Sequence, residues 1–267
     1  MSLANTARAM PTLVRVGVMG AVAYRAELFV WMLSTTMPFV MLAMYSAVAR
    51  EGQLAGFGGD DFVIWSIATF VVRQFTGSWA SWQINEEVRS GTLSMRLLRP
   101  ISPIVNYAVE NLAAMPLRMI IAVPLSVGLF IALGTDLLPH DLGGWLAFFA
   151  AWFGAWLLTF TVHVIMGALS FWLEQSMKVM NVWFAGYLVF SGYLIPVSLF
   201  PAGFQQSTRW LPFFSQIGLP VELLTKAEAR ADAGRLLAVQ WGWIVLAMLI
   251  AAALWRRGVR RYGAVGG

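Results

Sequence analysis

The chain has 267 residues, of which 59% are hydrophobic and only 12% are charged, with a mean hydropathy of +0.71. Because a soluble domain carries about 25% charged residues, this composition excludes a soluble fold and predicts a single all-α integral membrane domain over residues 1–267. The net charge of +5 comes from 18 basic residues scattered among apolar segments, which argues against a nucleic-acid partner and for contact with a lipid bilayer.

The N-terminal part of the chain predicts a surface helix followed by a first span. Residues 1–27 mix arginines with apolar residues, and Pro11 suits a helix start, so an amphipathic helix over 11–27 is expected at the membrane interface. The apolar run 28–49 has 22 residues, whereas a signal-peptide core has about 7–15. It is therefore predicted to stay uncleaved and to cross the bilayer of about 30 Å.

Five further apolar stretches predict spans. The helix that begins at Pro103 is at first amphipathic and then apolar, so a break at Pro116 and a kink at Pro124 are expected. The six predicted spans are 28–49, 62–82, 116–133, 145–173, 179–195 and 236–254. Six spans place both termini on one side. That side carries 11 basic residues against five on the other, which predicts that both termini are cytoplasmic.

Residues 84–106, here called the charged loop, separate the second and third predicted spans. Gly91 suits the left-handed position at a helix end, and residues 92–99 then predict a short amphipathic helix that ends before Pro100. Three leucines of this helix are predicted to share one face: Leu93, Leu97 and Leu98. A short helix between two breaks is an element to which another protein can bind.

The run E-E-x-x-S-G-T-L-x-x-x-L-L-x-P-I-S over residues 86–102 resembles the cytoplasmic loop of ABC-2 type permeases, the membrane subunits of a group of ABC exporters. In that family the loop carries the coupling helix that docks on the ATPase subunit. The resemblance implies an ABC-2 exporter fold, although Met95 stands where many members have Glu. It also implies ATPase-coupling roles for Glu86, Glu87, Arg89, Gly91, Leu93, Leu97, Leu98 and Arg99. The alternative is an ordinary solvated loop between two spans.

Residues 191–212, here called the Pro-rich segment, are apolar but broken by prolines and Gly203. They predict two half-helices that dip into the outer leaflet and are covered by protein. They also resemble the re-entrant hairpin that ABC-2 type permeases have on the outer side of the membrane. Four apolar residues of this segment are predicted to plug the translocation path or an interface: Leu194, Ile195, Phe200 and Phe204. The alternative is a static lid. The following residues, 220–234, are polar and predicted to be exposed.

Nothing in the sequence predicts catalysis or a metal site. A phosphate-binding P-loop needs a lysine directly after glycine, whereas Lys178 and Lys226 follow Met and Thr. Cysteine is absent, and His140 and His163 are far apart, so no metal ligands are predicted. His163 lies in an apolar span, which favours a helix-packing donor over a catalyst. The resemblance implies that ATP and Mg²⁺ bind to a partner ATPase and that this chain binds no cofactor.

Arg73 is the charged residue in the middle of the second predicted span. An unpaired arginine near the bilayer centre costs at least ~2.5–3.5 kcal/mol, so Arg73 is predicted to face the bundle interior, a partner subunit or a watery path. Two interpretations remain open: an arginine tied to backbone carbonyls for packing, and one with a substrate role on the translocation path or an interface.

As a whole, the resemblance implies the permease of an ABC exporter in the bacterial cytoplasmic (inner) membrane. Two permease subunits, identical or homologous, would work with two copies of a cytoplasmic ABC ATPase and move an amphipathic or apolar substrate outward. The alternative is a membrane-embedded enzyme or a scaffold without an ATPase partner, which would need clustered His, Asp or Glu inside the membrane. Co-purification with a nucleotide-binding subunit distinguishes the two.

Overall fold

Helix-forming residues dominate the chain, and the computed structural model, which describes residues 3–23, 30, 36–49, 58–133 and 138–265, is helical accordingly. No strand occurs within those ranges, so the all-helical part of the predicted fold is confirmed. The α-helices are α1 Leu3–Ala23, α2 Met37–Ala49, α3 Gly59–Thr76, α4 Ala80–Ser90, α5 Leu93–Leu97, α6 Pro103–Ala113, α7 Met115–Leu133, α8 Leu142–Ala168, α9 Ser176–Phe190, α10 Ala202–Arg209, α11 Gly218–Thr225, α12 Ala227–Ala231 and α13 Ala233–Val265.

Helix α8 lies at the centre of the bundle. It starts at Asp141, whose carboxylate accepts a hydrogen bond from the Gly144 amide at 3.0 Å, and it is apolar on all sides, which is typical of a buried helix. It packs against α13, α4, α11, α3 and α9. Gly154 allows α13 to approach, because a Cβ there would lie 2.6 Å from Oε1 of Gln240. The Gln240 amide in turn donates to the Ala151 carbonyl at 2.9 Å.

Two helical stretches of the described residues are long and apolar enough to cross a membrane, namely Leu142–Phe171 and Ala233–Tyr262. A third is added if the bent pair Pro103–Ile120 and Ala122–Gly128 counts as one span. Helix α3 carries Asp60, Asp61 and Arg73 within its 18 residues, which lowers its apolar character. Only 13 residues of α2 are described. The number of six spans therefore stays a prediction.

Several helix bounds differ from those that the sequence predicts. The second predicted span, 62–82, is divided between α3 and α4 by a break at residues 77–79. The break expected at Pro116 falls earlier, between α6 and α7, because proline is tolerated in the first turn of a new helix. Helix α7 then bends by 46° between Ile120 and Ala122, just before Pro124, since this proline leaves the carbonyl four residues earlier without its helical partner.

Two further differences concern the surface helices. Pro11 lies inside α1 rather than at its start, because the alanine-rich residues before it favour helix; residues 24–27 of the predicted helix lie outside the described ranges. The prediction that 220–234 is exposed is wrong for its first part. Leu219, Val221 and Leu223 are at most 1% exposed, since α11 packs its apolar side chains against α8 and α3.

The connections between the helices gather at two ends. At one end, here called the loop end, the charged loop meets the turn before α9 and the end of α13: Arg89 Nη1 donates to the Glu174 carbonyl at 2.9 Å, and Tyr262 Oη donates to the Gly91 carbonyl at 2.6 Å. Helix α1 packs on α6 nearby, where a Cβ on Gly17 would lie 2.7 Å from Cβ of Ala113.

The opposite end contains the Pro-rich segment, α11 and the start of α3. Lys226 Nζ donates to Oγ of Ser198 at 3.1 Å, and both residues line a cavity of about 380 Å³ together with Asp61. This grouping of the connections agrees with the two sides that the sequence predicts. Which end faces the cytoplasm stays a prediction.

Candidate functional site

The charged loop forms a short helix between two breaks, as its sequence predicts. Gly91 has φ 79° and ends α4 in the left-handed conformation, which residues with a Cβ adopt only at a cost. Helix α5, Leu93–Leu97, is shorter than the predicted 92–99. The chain then continues into α6 at Pro103. The loop therefore presents α5 as a separate element between α4 and α6.

Arg96 holds α5 to both neighbouring helices. Its Nε lies 2.8 Å from both carboxylate oxygens of Glu87 on α4. Its Nη1 lies 2.7 Å from Oε1 of Glu110 on α6, and its Nη2 lies 3.2 Å from Oε2 of the same carboxylate. Burial lowers the pKa of Arg96, but the ion pairs with Glu110 and Glu87 outweigh burial, so that the pKa rises above its usual value. The guanidinium therefore remains charged at any physiological pH.

Two uncharged side chains complete this cluster. The hydroxyl of Tyr107, which is fully buried, donates to Oε2 of Glu87 at 2.6 Å, and its ring lies under the Arg96 guanidinium at 4.5 Å from the ring centroid. The Gln83 amide donates to Oε2 of Glu110 at 3.1 Å. Charge-assisted hydrogen bonds of this kind are among the stronger ones in proteins, so the three helices are joined firmly at this point.

The apolar residues of α5 divide between an inner and an outer side. Leu93 is fully buried and Leu97 partly buried, and both pack into a cluster that includes Phe171 and Trp255. Leu98 is 84% exposed and Met95 66% exposed. The predicted common face of Leu93, Leu97 and Leu98 is therefore wrong, because a residue five positions along a helix of 3.6 residues per turn points about 140° away from the first.

The other residues implied by the family motif lie around α5 in the same region. Glu86, Arg89 and Arg99 are exposed, and Glu87 is a partner of Arg96. Their roles in ATPase coupling stay a prediction. The sequence did not single out Glu110, Tyr107 or Tyr262. One signal for Glu110 was available, since it is an acid on the amphipathic first part of the helix that begins at Pro103.

In the described part of the chain, Arg73 lies against two aromatic rings, and its side chain shares a hydrogen bond with that of Tyr193. Its guanidinium carbon lies 5.5 Å from the ring centroid of Tyr187 and 6.0 Å from that of Tyr193. A second arginine, Arg118 on α7, is only 9% exposed and lies 4.8 Å from the ring centroid of Trp79. No role of its own was predicted for Arg118. His163 shares a 2.9 Å hydrogen bond with Ser81 that joins α8 to α4, as its interpretation as a packing residue predicted.

The Pro-rich segment contains one 3-10 turn, Val197–Leu199, and one α-helix, α10, rather than two half-helices. Phe200 and Phe204 form an edge-on ring pair with centroids 5.9 Å apart, whereas Leu194 packs into a different apolar cluster. Phe204 and Ile195 are 51% and 38% exposed. Two of the four predicted plug residues are thus in contact, and their role on a path or an interface stays a prediction.

The segment is tied down by polar contacts. Gln205 Nε2 donates to the carbonyls of Ser198 and Phe200, at 2.8 and 2.6 Å, and Arg209 forms an ion pair with the buried Glu222 at 3.0 Å. In the part of the chain that the structure describes, no three His, Asp or Glu side chains come together as metal ligands.

A family model described as "ABC-2 family transporter protein" matches residues 29–266, which include the charged loop, Arg73, Arg118 and the Pro-rich segment. Among curated proteins, none matches the chain.

Proposed function

Since the chain belongs to the ABC-2 family of transporter proteins, and is thus a multi-pass membrane subunit of an ABC transporter, we propose that it is an export permease driven through α5. In this proposal α5 is the coupling helix, and a separate ABC ATPase binds and hydrolyses ATP with Mg²⁺. Outward movement of an amphipathic or apolar substrate is part of the same proposal.

The observation that carries the proposal is the exposure of Leu98 and Met95 on a helix that is otherwise firmly held. An apolar side chain that stays largely in solvent gains when a partner covers it, by about 1.5–3 kcal/mol for a leucine. The exposed Arg99 beside them offers a charged rim to such a contact, and hydrophobic centres with polar rims are typical of protein interfaces. We infer that the ATPase covers Leu98 and Met95.

The contacts of Arg96 provide the route by which a push on α5 reaches the membrane helices. Because Arg96 is paired to Glu87 on α4 and to Glu110 on α6, a displacement of α5 moves both helices together. Helix α4 is connected to α3, which precedes it, by the break at 77–79, and α6 is connected to α7, which follows it. We propose that ATPase closure favours one of two packings of these helices, which is how a ligand shifts a conformational equilibrium.

The remaining parts of the proposal concern the assembly. The basic residues expected on the side of the loop end favour the cytoplasm as its location, with both termini on that side and the membrane being the bacterial inner membrane. Two permeases, identical or homologous, would pair with two copies of the ATPase. Each ATPase would then contact the α5 of one permease.

The test uses the ABC ATPase that co-purifies with the wild-type chain. This ATPase is co-expressed with Leu98→Asp and with Met95→Asp, and the dissociation constant of the complex and the stimulated ATPase rate are measured in nanodiscs. We expect each substitution to weaken binding at least about tenfold, since burial of one such side chain is worth about 1.5–3 kcal/mol. Leu142→Asp, at a leucine that is 75% exposed at the opposite end, is the matched control and should bind normally.

Two results would contradict the proposal. If Leu98→Asp and Met95→Asp both bind and stimulate the ATPase like the parent, α5 is not the docking element. If no ABC ATPase co-purifies with the chain under any nucleotide condition, the alternative of a membrane enzyme or a scaffold gains support.

A further inference from the structure

Two arginines meet in the interior of the bundle beside Gly77. A Cβ built on Gly77 would lie 3.0 Å from Nη1 of Arg118 and 3.8 Å from Nη1 of Arg73. Arg73 comes from the last turn of α3 and Arg118 from the first turns of α7, and these two helices pack against each other. Two like charges at this separation repel each other, and the repulsion grows as water is excluded.

Neither arginine has a carboxylate partner among the residues that the structure describes. The acidic residues that form ion pairs there are committed elsewhere, to Arg96, Arg209, Lys226 and Arg235. Of the acceptors that the structure describes, Arg118 donates to two backbone carbonyls, those of Gln74 at 3.4 Å and Gly77 at 3.3 Å. Since buried charges are normally paired, an anion would supply the partner that this arginine pair lacks.

Hydroxyl groups near the arginines also lack partners. Tyr187, whose ring lies against the Arg73 guanidinium, is 4% exposed, and its hydroxyl has no hydrogen-bond partner among the described residues. The same holds for the hydroxyl of Thr76, which directly precedes Gly77 and is 1% exposed. Buried polar groups without partners are rare and call for an explanation such as a ligand that is absent. A hydroxyl can donate to the oxygen of an anion.

The site can be reached from outside the protein and has apolar walls. Arg73, Gly77, Ser78 and Trp79 are half-buried rather than buried, so the break between α3 and α4 is partly exposed. Aromatic rings cover the two guanidinium groups on their other faces. An arginine pair matches the geometry of phosphate and carboxylate oxygens, and aromatic walls favour an apolar body next to the charged group.

We propose that Arg73 and Arg118 bind the phosphate or carboxylate group of an acidic amphiphile at the break between α3 and α4. The binding site itself is independent of ATPase docking. That this site binds the transported substrate rests on the proposed export function. With that function, the arginine pair narrows the substrate class to acidic amphiphiles. The position also suits such a role, because α4 and α6, which Arg96 joins to α5, lead directly into the two helices that carry the arginines.

The test measures binding of dioctanoyl phosphatidic acid to the full chain, purified without ATPase in a nonionic detergent, by native mass spectrometry. Dioctanoyl phosphatidylcholine has the same tails with a zwitterionic headgroup, and inorganic phosphate is the headgroup alone. We expect phosphatidic acid to bind at least about tenfold more tightly than phosphatidylcholine. Arg73→Gln and Arg118→Gln should each weaken this binding about tenfold or more, since one charge-assisted contact is worth about 1.5–3 kcal/mol. Arg256→Gln, an exposed arginine near the end of α13, is the matched control.

Competition between inorganic phosphate and phosphatidic acid distinguishes a site for a free anion from a site for a lipid headgroup. If inorganic phosphate displaces phosphatidic acid at equal concentration, the site takes a free anion, and if it does not, the apolar body contributes. Equal binding of phosphatidic acid by Arg73→Gln, Arg118→Gln and Arg256→Gln would overturn the proposal, as would equal binding of the two lipids. If Arg118→Gln fails to fold, Arg73→Gln and the charge-conserving Arg118→Lys decide. Because no ATPase is present, a negative result leaves the docking proposal untouched.

Discussion

Arg96 and Glu110, which are 14 residues apart, form a two-point ion pair in which Nη1 lies 2.7 Å from Oε1 and Nη2 lies 3.2 Å from Oε2. The pair connects α5 to the start of the helix pair α6 and α7. A two-point pair fixes direction as well as distance, because the planar guanidinium must lie in register with the carboxylate. The orientation of α5 is therefore specified by a single side chain.

Replacement of Arg96 tests whether its ion pairs set the orientation of α5. Arg96→Gln removes the ion pairs to Glu87 and Glu110 and leaves two carboxylates facing each other. The side chains of the pairs are 15–33% exposed, so we expect a loss of about 1–3 kcal/mol in the free energy of unfolding, less than for a fully buried pair. Arg96→Lys keeps the charge without the fork geometry and should fall in between. Thermal unfolding in detergent and ATPase binding are the measurements.

The exposed Arg99 provides the control for that series. Arg99→Gln removes the same charge from the same loop and should unfold like the parent. A variant Arg96→Gln with parental stability and normal ATPase stimulation would show that the cluster does not hold α5.

Gly91 provides a test of the backbone at the start of the loop. Because its φ is 79°, Gly91→Ala should cost about 1–2 kcal/mol, whereas Gly91→Asn should cost less, since asparagine tolerates this conformation better. Gly234→Ala is the matched control: its Cβ meets open space within α13, and we expect equal or slightly higher stability. Equal thermal unfolding of the Gly91 and Gly234 variants would mean that α4 does not end in a left-handed residue.

Glu222 joins the Pro-rich segment to α11, and it is 6% exposed. Glu222→Gln breaks its pairs with Arg209 at 3.0 Å and Lys226 at 3.3 Å. We expect a loss of about 1–3 kcal/mol, below that of a fully buried pair because both partners are partly exposed. Asp232→Asn removes one partner of an exposed pair with Arg235, which should leave the unfolding temperature unchanged. If both variants behave alike, Glu222 does not anchor the segment.

The Pro-rich segment is either a moving plug or a static lid, and the cysteine-free chain allows labelling to distinguish them. A cysteine at Phe204, which is 51% exposed, should react from outside with a maleimide at a rate that changes when the ATPase is trapped with nucleotide. A cysteine at Leu142, 75% exposed at the same end, should react equally in both states. Equal labelling rates at Phe204 with and without trapped nucleotide would show that the Pro-rich segment is a static lid.

The sequence predicted those features of the loop that arise locally. Gly91 ends a helix because of its own conformational freedom, and the short helix after it follows from the breaks at either side. The pairing of Arg96 with Glu110 could not be predicted in this way, because it depends on how α6 turns back on α4. The direction of Leu98 was missed because a residue five positions along a helix points about 140° away from the first.

The burial of polar and charged residues also could not be predicted from the sequence. Residues 220–234 were predicted to be exposed because they are polar, yet the ion pairs of Glu222 allow residues 220–224 to be buried. No role was predicted for Arg118, and its position beside Arg73 arises only when α7 packs on α3. In both places a long-range contact decides the environment of a charge.

The hydrogen bond from Tyr262 to the Gly91 carbonyl spans 171 residues of chain, and it sets an order of events during synthesis. At roughly 5–20 residues per second, on the order of 10–30 s separate the appearance of the two residues. During that time the loop lacks a contact from α13, and under the docking proposal we expect it to hold the ATPase less tightly. Nascent chains stalled before residue 262 should therefore insert into the membrane and yet fail to retain the ATPase in a pull-down, so that only finished subunits enter the assembly.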